Sequence, residues 1–315
     1  MRPIAGVRWA AYVSAMTRNC APIALFVYAR LDHVQQTIDA LKRNRLAAES
    51  QLIVFSDAPK RPDMATLVQS VRRYIRTIEG FKSVQIVERE INFGLSSSIT
   101  SGVSSICDSY GRVIVMEDDL ITSPHFLTYM NDALEKYADT PQVAAISGFH
   151  PPFETQMPET FFQCDAECWG WATWKRAWEE FNPNGTQLLA ELKRRGMQRV
   201  FDQNCTYPYI RMLEDQIAGR NDSWAIRWRA SVILKGMLSL YPRHTLTHNI
   251  GFDGSGTHCL SSDIWDGTLS SEPIKVGNIP LVHSNEAFQE FAQFNRRLRR
   301  KTKWDRLKRR LRIAR

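Results

Sequence analysis

The chain has 315 residues, 43% hydrophobic and 23% charged, with a formal net charge of +8. That is a globular composition with enough length for a sizeable core, which excludes a disordered chain. No run of 18 or more apolar residues occurs, so no transmembrane helix is expected.

The basic charge is unevenly spread. Residues 296–315 hold 12 Lys/Arg and one acid, Asp305, a net +11 that leaves −3 on the rest. The global charge is therefore no argument for nucleic-acid binding by the body, and no nucleic-acid partner is expected. The first 20 residues have apolar patches interrupted by Arg2, Arg8 and Arg18. They lack the segregated regions of a signal peptide, and the expected location is cytoplasmic. Six cysteines occur, and only Cys164 and Cys168 are close, as C-x3-C. No second pair completes a tetrahedral zinc site, so reduced, mostly buried thiols are expected.

From Pro22 onwards apolar runs alternate with helical patterns. Ile23 to Tyr28 is a continuous apolar run, as a buried parallel strand requires. Asp32 is placed to cap a helix with Val34, Ile38 and Leu41 on one face. Leu52 to Phe55 is a second strand, ended by the turn Ser56-Asp57-Ala58-Pro59. Leu67, Val71, Tyr74 and Ile78 mark a second helix, and Val84 to Val87 a third strand. Asn92-Phe93-Gly94-Leu95 leads into a helix over 96–109. Val113 to Met116 is a fourth strand, running into Glu117-Asp118-Asp119.

Beyond the triplet, Leu127, Met130, Leu134 and Tyr137 mark a helix, and Val143 to Ser147 a strand. Trp169, Trp171, Trp174 and Trp178 then crowd into ten residues, followed by helical patterns including Trp224 to Gly236. Trp171, Trp174 and Trp178 have helical spacing and read as core, whereas Trp169 and Gly170 are the better candidates for ligand contact. Asn249 to His258 is a Gly-rich loop. Strands alternating with helices predict an α/β domain with a mostly parallel sheet. Ligands of such sheets bind beyond the carboxyl ends of the strands, which selects Arg30, Asp57, Glu88 to Glu90 and the triplet.

Each of these residues has a chemical use. A hard divalent cation takes one or two carboxylates plus substrate phosphates, and neutralises a departing diphosphate; a solvated acidic turn is the alternative. Asp57 has the chemistry to accept from a nucleobase or ribose, or to form a turn. The Arg30 guanidinium suits a phosphate or stacks on a base. The Asn92–Leu95 segment presents helix N-terminal amides to a phosphate, or is an ordinary cap.

Val27-Tyr28-Ala29-Arg30, Phe55-Ser56-Asp57, Asn92-Phe93-Gly94-Leu95 and Val115-Met116-Glu117-Asp118-Asp119-Leu120 together resemble the GT-A glycosyltransferases. Their order is similar to the inverting N-acetylglucosaminyltransferase I family and bacterial family-two-like sugar transferases. The resemblance covers Pro22 to Leu120. It extends more loosely to His258 through Trp169-Gly170-Trp171, Asn221-Asp222-Ser223-Trp224 and Asn249-Ile250-Gly251-Phe252. It implies a GT-A, Rossmann-like fold with a helical acceptor-side half. The expected organisation is one catalytic domain over 21–285, with a nucleotide-binding half to residue 120 and an acceptor-side half from 121. A basic amphipathic tail would occupy 286–315.

The resemblance also implies roles. Arg30 and Asp57 would hold base and ribose, with Asn92, Gly94 and Glu117 lining the nucleotide-sugar site. Asp118 would lie near ribose and metal, and Asp119 would ligate Mn2+ or Mg2+ with His258, His248 being the rival. The donor would be a nucleotide diphosphate sugar, UDP-linked by resemblance, and the acceptor a glycan or lipid-linked hydroxyl. Ala29 stands where the bacterial relatives usually have Asn, so no role passes to that position. Inverting transfer needs a carboxylate base, and the candidates are Asp222 and Asp215. The resemblance places the base in an aspartate–tryptophan segment, which selects Asp222.

Phe288 to Arg315 interleaves apolar and basic residues, as in helices that lie on anionic membranes, which would place the protein peripherally on the inner face of the plasma membrane. A disordered basic tail is the alternative. Two other functions compete. A sugar-nucleotide nucleotidyltransferase should carry a Gly-rich basic loop after strand one, where this chain has Ala29-Arg30-Leu31-Asp32. A non-catalytic carbohydrate- or membrane-binding protein would have no need of an intact triplet.

Overall fold

The computed structural model describes residues 19–253 and 267–313, with side chains described as far as residue 301. His258 and Cys259 lie outside the described residues. The first half alternates as expected: β1 (Ile23–Val27), α1 (Leu31–Lys42), β2 (Gln51–Ser56), α2 (Ala65–Ile75), β3 (Ser83–Glu88), α3 (Gly94–Tyr110) and β4 (Arg112–Glu117). β5 (Leu120–Thr122), α4 (Phe126–Lys136), β6 (Val143–Ser147), β7 (Thr160–Gln163) and β8 (Trp171–Trp174) follow. A helical stretch then holds α5 (Lys175–Trp178), α6 (Gly185–Arg194), α7 (Gln198–Phe201), α8 (Tyr209–Ile217) and α9 (Trp224–Leu234). β9 (Leu238–Pro242), β10 (Thr247–Asn249) and α10 (Asn285–Ile313) complete the order.

Eight strands form one sheet in the order β3-β2-β1-β4-β8-β6-β9-β7. β3, β2, β1 and β4 are mutually parallel, as are β6 and β9, while β8 is antiparallel to both its neighbours and β7 is antiparallel to β9. The expected α/β class, a mostly parallel sheet flanked by helices with a helical second half and a basic C-terminal helix, is the observed architecture. All five residues of β1 are buried, because the strand is central and covered on both faces.

Three local expectations differ from the structure. Arg30, without a side-chain cap bond, precedes α1, so Asp32 sits inside the first turn instead of capping it. The buried face of α2 is Val68, Val71 and Ile75, and Leu67 is exposed. Val71 and Ile78 are buried as expected, but Val68 and Ile75 take the places of Leu67 and Tyr74, one residue on in each case. Trp171 and Trp174 lie on a strand. Being three apart, they face opposite sides of the sheet. Trp171 stacks on Trp224 at 5.3 Å between centroids, while Trp174 donates its indole N–H to Leu134 O at 3.0 Å. Both are core, as expected, but strand geometry puts them there.

Candidate active site

The chain builds β1, β2 and β3 outwards in one direction, then returns to place β4 on the other side of β1. Loops leaving the carboxyl ends of β1 and β4 therefore diverge, and the crevice between them is where open α/β sheets bind ligands. Arg30 follows β1 and the triplet ends β4. Across this crevice Arg30 donates from one Nη2 to Asp118 Oδ1 and, at 2.7 Å, to Asp119 Oδ2. Asp118 is buried, takes Tyr28 N at 3.4 Å, and its carbonyl accepts Thr37 Oγ1 at 2.9 Å.

Charge here is held under tension. Burial disfavours the Arg30 guanidinium, but Asp118 and Asp119 outweigh it and keep it charged, above its ordinary value. Burial pushes the Asp118 carboxyl up against the pull of Arg30. Burial, then Asp119 and Asp118, push Glu117 up to about 8. Glu117 keeps its proton at neutral pH, so Asp118 and Asp119 share the one guanidinium of Arg30, and the crevice can take a further positive charge.

A second wall comes from far along the chain. β10 pairs antiparallel with β5, placing Asn249 opposite Leu120. Ile250 N then donates to Asp119 O at 2.8 Å, and Gly251 N to Asn249 Oδ1 at 2.7 Å. Any Cβ on Gly251 would lie 2.3 Å from Asp119 Oδ2 and 3.1 Å from Arg30 Nη1, so a side chain there would displace the Asp119 carboxylate. The next residues reach further: Phe252 meets Trp169 edge-on at 5.3 Å, and Asp253 pairs with His33 at 3.3 Å. Trp169 O accepts Thr247 Oγ1 at 2.7 Å, and Gly170 has φ +73° with Thr247 Cγ2 2.6 Å from where a Cβ would be. β10 thus brings Trp169 and Gly170 to the edge of the triplet. Burial holds the Cys168 thiol far above its ordinary value, and Glu117, Glu167 and Asp119 add to this. The Cys164 thiol is raised to about 11 by burial. Both are free thiols that hold their protons in this setting.

Asp57 is close by but fully engaged. Oδ1 accepts Ala58 N and Phe93 N, each at 2.9 Å; Oδ2 accepts Gly94 N at 2.9 Å and Asn92 Nδ2 at 3.0 Å. Four donors fill the capacity of a carboxylate. Asp57 therefore organises the loop into α3, and Asn92, which also donates to Ala58 O at 2.7 Å, ties it to β2. Gly94 begins α3 at φ +72°, a conformation that suits glycine. Among these residues the sequence pattern identified the cluster but not that its members satisfy one another.

The two base candidates lie in different settings. Asp222 is exposed, its side chain 70% accessible and 3.7 Å from Arg227. Ser223, not Asp222, caps α9 by accepting Ile226 N. Arg227 Nη2 donates to Ser96 Oγ at 2.6 Å, so the start of α9 borders the first turn of α3. Asp215 lies on α8, gripped by Arg220 at 2.5 Å, in the helical layer. His248 is on β10 opposite Ile121. Sequence reasoning gave no separate role to Gly251 or Thr37; Gly251 had a signal, the Asn-Ile-Gly-Phe stretch, while Thr37 looked like any helix residue.

Carboxylate oxygens suit a hard cation such as Mn2+ or Mg2+, and Asp119 carries two at the mouth of the crevice. No group of three or more His, Cys, Asp or Glu converges among the described residues. A donor set of one or two carboxylates completed by substrate oxygens is the usual way a protein holds Mg2+, and the chemistry of the crevice fits that.

No protein-family model and no curated protein matches the chain. Among solved structures, it is similar to the mannosyltransferase PcManGT from Pyrobaculum calidifontis in complex with GDP-Man and Mn2+, at 14% identity over 42% of this chain and 36% of that one, TM-score 0.30. Others are S. aureus TarS, at 12% identity over 44% of this chain and 24% of that one, TM-score 0.29, and a UDP-glucose pyrophosphorylase complexed with UDP-glucose, at 11% identity over 70% and 90%, TM-score 0.33. The chain thus spans 36% and 24% of the lengths of the first two.

Proposed function

We propose that the protein is a glycosyltransferase that moves a sugar from a nucleotide diphosphate donor, UDP-linked, to a hydroxyl of a glycan or lipid-linked acceptor. One observation carries this: Arg30 spans Asp118 and Asp119 in the crevice at the switch point of the sheet. A cationic and an anionic arm facing each other there match a substrate with both a diphosphate and a ribose.

The residues divide the work. Asp57 fixes the Asn92–Gly94 loop, so the entrance to α3 is preorganised beside the nucleotide. Asp118 is oriented by Tyr28 N and Thr37 for the ribose. Arg30 can exchange an aspartate partner for a phosphate oxygen without becoming unpaired. Asp119, and His258 from outside the described residues, would hold Mn2+ or Mg2+, which when bound would stabilise charge on the leaving diphosphate. Trp169 and Gly170 would contact the acceptor sugar, and Asp222 would take the proton of its attacking hydroxyl in an inverting displacement. The donor sugar is a hexose or N-acetylhexosamine, as the likeness to the N-acetylglucosaminyltransferase I family implies.

Nucleotidyl transfer is disfavoured by the path of the backbone: Arg30 leads directly into α1, with no glycine-rich loop between β1 and the helix. The test is a donor panel. Purified protein is incubated with UDP-, GDP- and CMP-sugars plus Mn2+, with and without oligosaccharide acceptors, and released nucleotide is measured. Nucleotide release that depends on acceptor and is lost in Asp119→Ala is expected. Release of pyrophosphate from nucleoside triphosphate and sugar phosphate instead would overturn the assignment.

A further inference from the structure

α10 is one unbroken helix over Asn285–Ile313, about 43 Å long at 1.5 Å per residue. Its first half is fastened to the body. Phe291 packs on Phe153 and Tyr241 at 5.0 and 5.6 Å, with Ala287 and Ala292 buried beside it. The buried Glu290 accepts from Glu154 N at 2.9 Å and Thr155 Oγ1 at 2.7 Å. The last fastenings are polar. Asn295 donates to Gln203 Oε1 at 2.5 Å, Arg297 pairs with Glu154, and Arg299 reaches Cys205 O at 3.3 Å.

The mount is a tight, hydrogen-bonded corner. Gln203, Asn204 and Cys205 all have positive φ, 45°, 59° and 60°, an uncommon run for residues with side chains. Gln203 is held by Asp165 Oδ2 at 2.9 Å, and Asp165 pairs with the buried Arg229. A strained corner locked to a buried ion pair grips the helix at the point where its sequence turns basic. From residue 296 on, 12 of 20 residues are Lys or Arg, against one acid, while the rest of the chain is net −3. Trp304, Leu307 and Leu311 recur among them at i, i+3, i+7 spacing. A purely polyanion-binding segment gains nothing from that apolar period, whereas an interfacial helix needs it.

We infer that residues 296–313 of α10 form a rigidly mounted arm that docks the body on an anionic lipid bilayer. This does not rest on the transferase proposal: the arm would seat any catalytic body on the surface. The test is co-sedimentation of the full chain with phosphatidylcholine vesicles, with and without phosphatidylglycerol. Binding only to the anionic vesicles is expected, with release in 1 M salt, where screening acts over about 3 Å. Combined Arg309→Glu, Arg310→Glu and Arg312→Glu should weaken binding by at least about a hundredfold. Trp304→Ser with Leu307→Ser should weaken it by about tenfold or more. Circular dichroism and an unchanged thermal transition would confirm that both variants fold. Equal sedimentation with neutral vesicles, no sedimentation at all, or wild-type binding by the charge-reversal variant would overturn the inference. So would vesicle binding untouched by the Trp304/Leu307 change but stripped by an RNA homopolymer or by inorganic phosphate, because the arm would then be a general polyanion binder.

Discussion

Gly251 has no room for a side chain because Asp119 Oδ2 would stand 2.3 Å from its Cβ. Backbone from the end of β10 is thereby pressed onto the carboxylate at the end of β4, and sequence positions 119 and 251 become one site. Gly251→Ala should push the Asp119 carboxylate and Arg30 out of position with little harm to the fold. A displacement near 1 Å at a reacting centre costs about a hundredfold. The expected result is a fall in kcat/KM of that order in the donor assay, with a thermal transition close to wild type. Full activity in Gly251→Ala would show that Asp119 is not where chemistry depends on it.

Asp57 is expected to matter more to folding than to contact with the nucleotide. Replacing it with Ala takes the acceptor from Ala58 N, Phe93 N and Gly94 N, while Asn92 Nδ2 keeps Ala58 O. Each such loss is worth about 1–3 kcal/mol when the group cannot reach water. Asp57→Ala should therefore lose roughly 3 kcal/mol of stability in urea unfolding. Asp57→Asn, which keeps part of the acceptor capacity, should lose less. If Asp57→Ala unfolds like wild type but no longer binds nucleotide, the carboxylate serves the ligand directly.

The buried pair of Arg229 and Asp165 offers a cleaner energetic test. Arg229→Ala strands a buried carboxylate and should cost about 3–5 kcal/mol. Replacing both partners with apolar residues should cost less than the single change, because no orphaned charge is left. Chemical denaturation of the single and double variants decides this; a double variant less stable than Arg229→Ala would refute the account.

Glu167 makes stability depend on pH. Burial, then Asp165, raise its carboxyl to about 8, with Arg229 opposing. The folded state then holds a proton that the unfolded state gives up near 4.5. Between those values the native state binds more protons, so stability falls as pH rises, by at most about 1.4 kcal/mol per unit, and levels off above 8. Glu167→Gln removes this loss. The variant and wild type should melt alike near pH 4, and the variant should melt higher at pH 9. Parallel melting curves across that range would show that Glu167 ionises normally.

How much of this the sequence reveals depends on the range of the interactions involved. The strands before residue 120 are legible because each is a local apolar run, and the triplet because a strand ends in it. β5 and β10 are three residues each, too short for any period to register. Their pairing, Asn249 with Leu120 and Thr247 with Thr122, joins residues far apart in the chain and is what carries Gly251 to Asp119. β8 is misleading for a different reason: Trp171, Trp174 and Trp178 keep a helical interval by crossing from a strand into α5. The loop around Asp57 shows the same limit. Its residue types announce polar chemistry, but only three dimensions show that Asp57 spends its four acceptor sites on Ala58, Asn92, Phe93 and Gly94.

Asp222 and Asp215 can be separated by kinetics. A positioned base contributes about 10²–10⁴-fold, so Asp222→Asn should lower kcat by that factor while leaving donor KM unchanged. Its exposure beside Arg227 means that the fold should not notice the change. Asp215 is held by Arg220 on α8, and Asp215→Asn should keep near wild-type turnover. If Asp222→Asn turns over normally and Asp215→Asn does not, Asp215 is the base; if both turn over normally, the carboxyls bordering Trp169 are the next candidates. Glu167 is then the next to test, since it directly precedes Cys168 and Trp169 and its raised carboxyl would ionise only near pH 8.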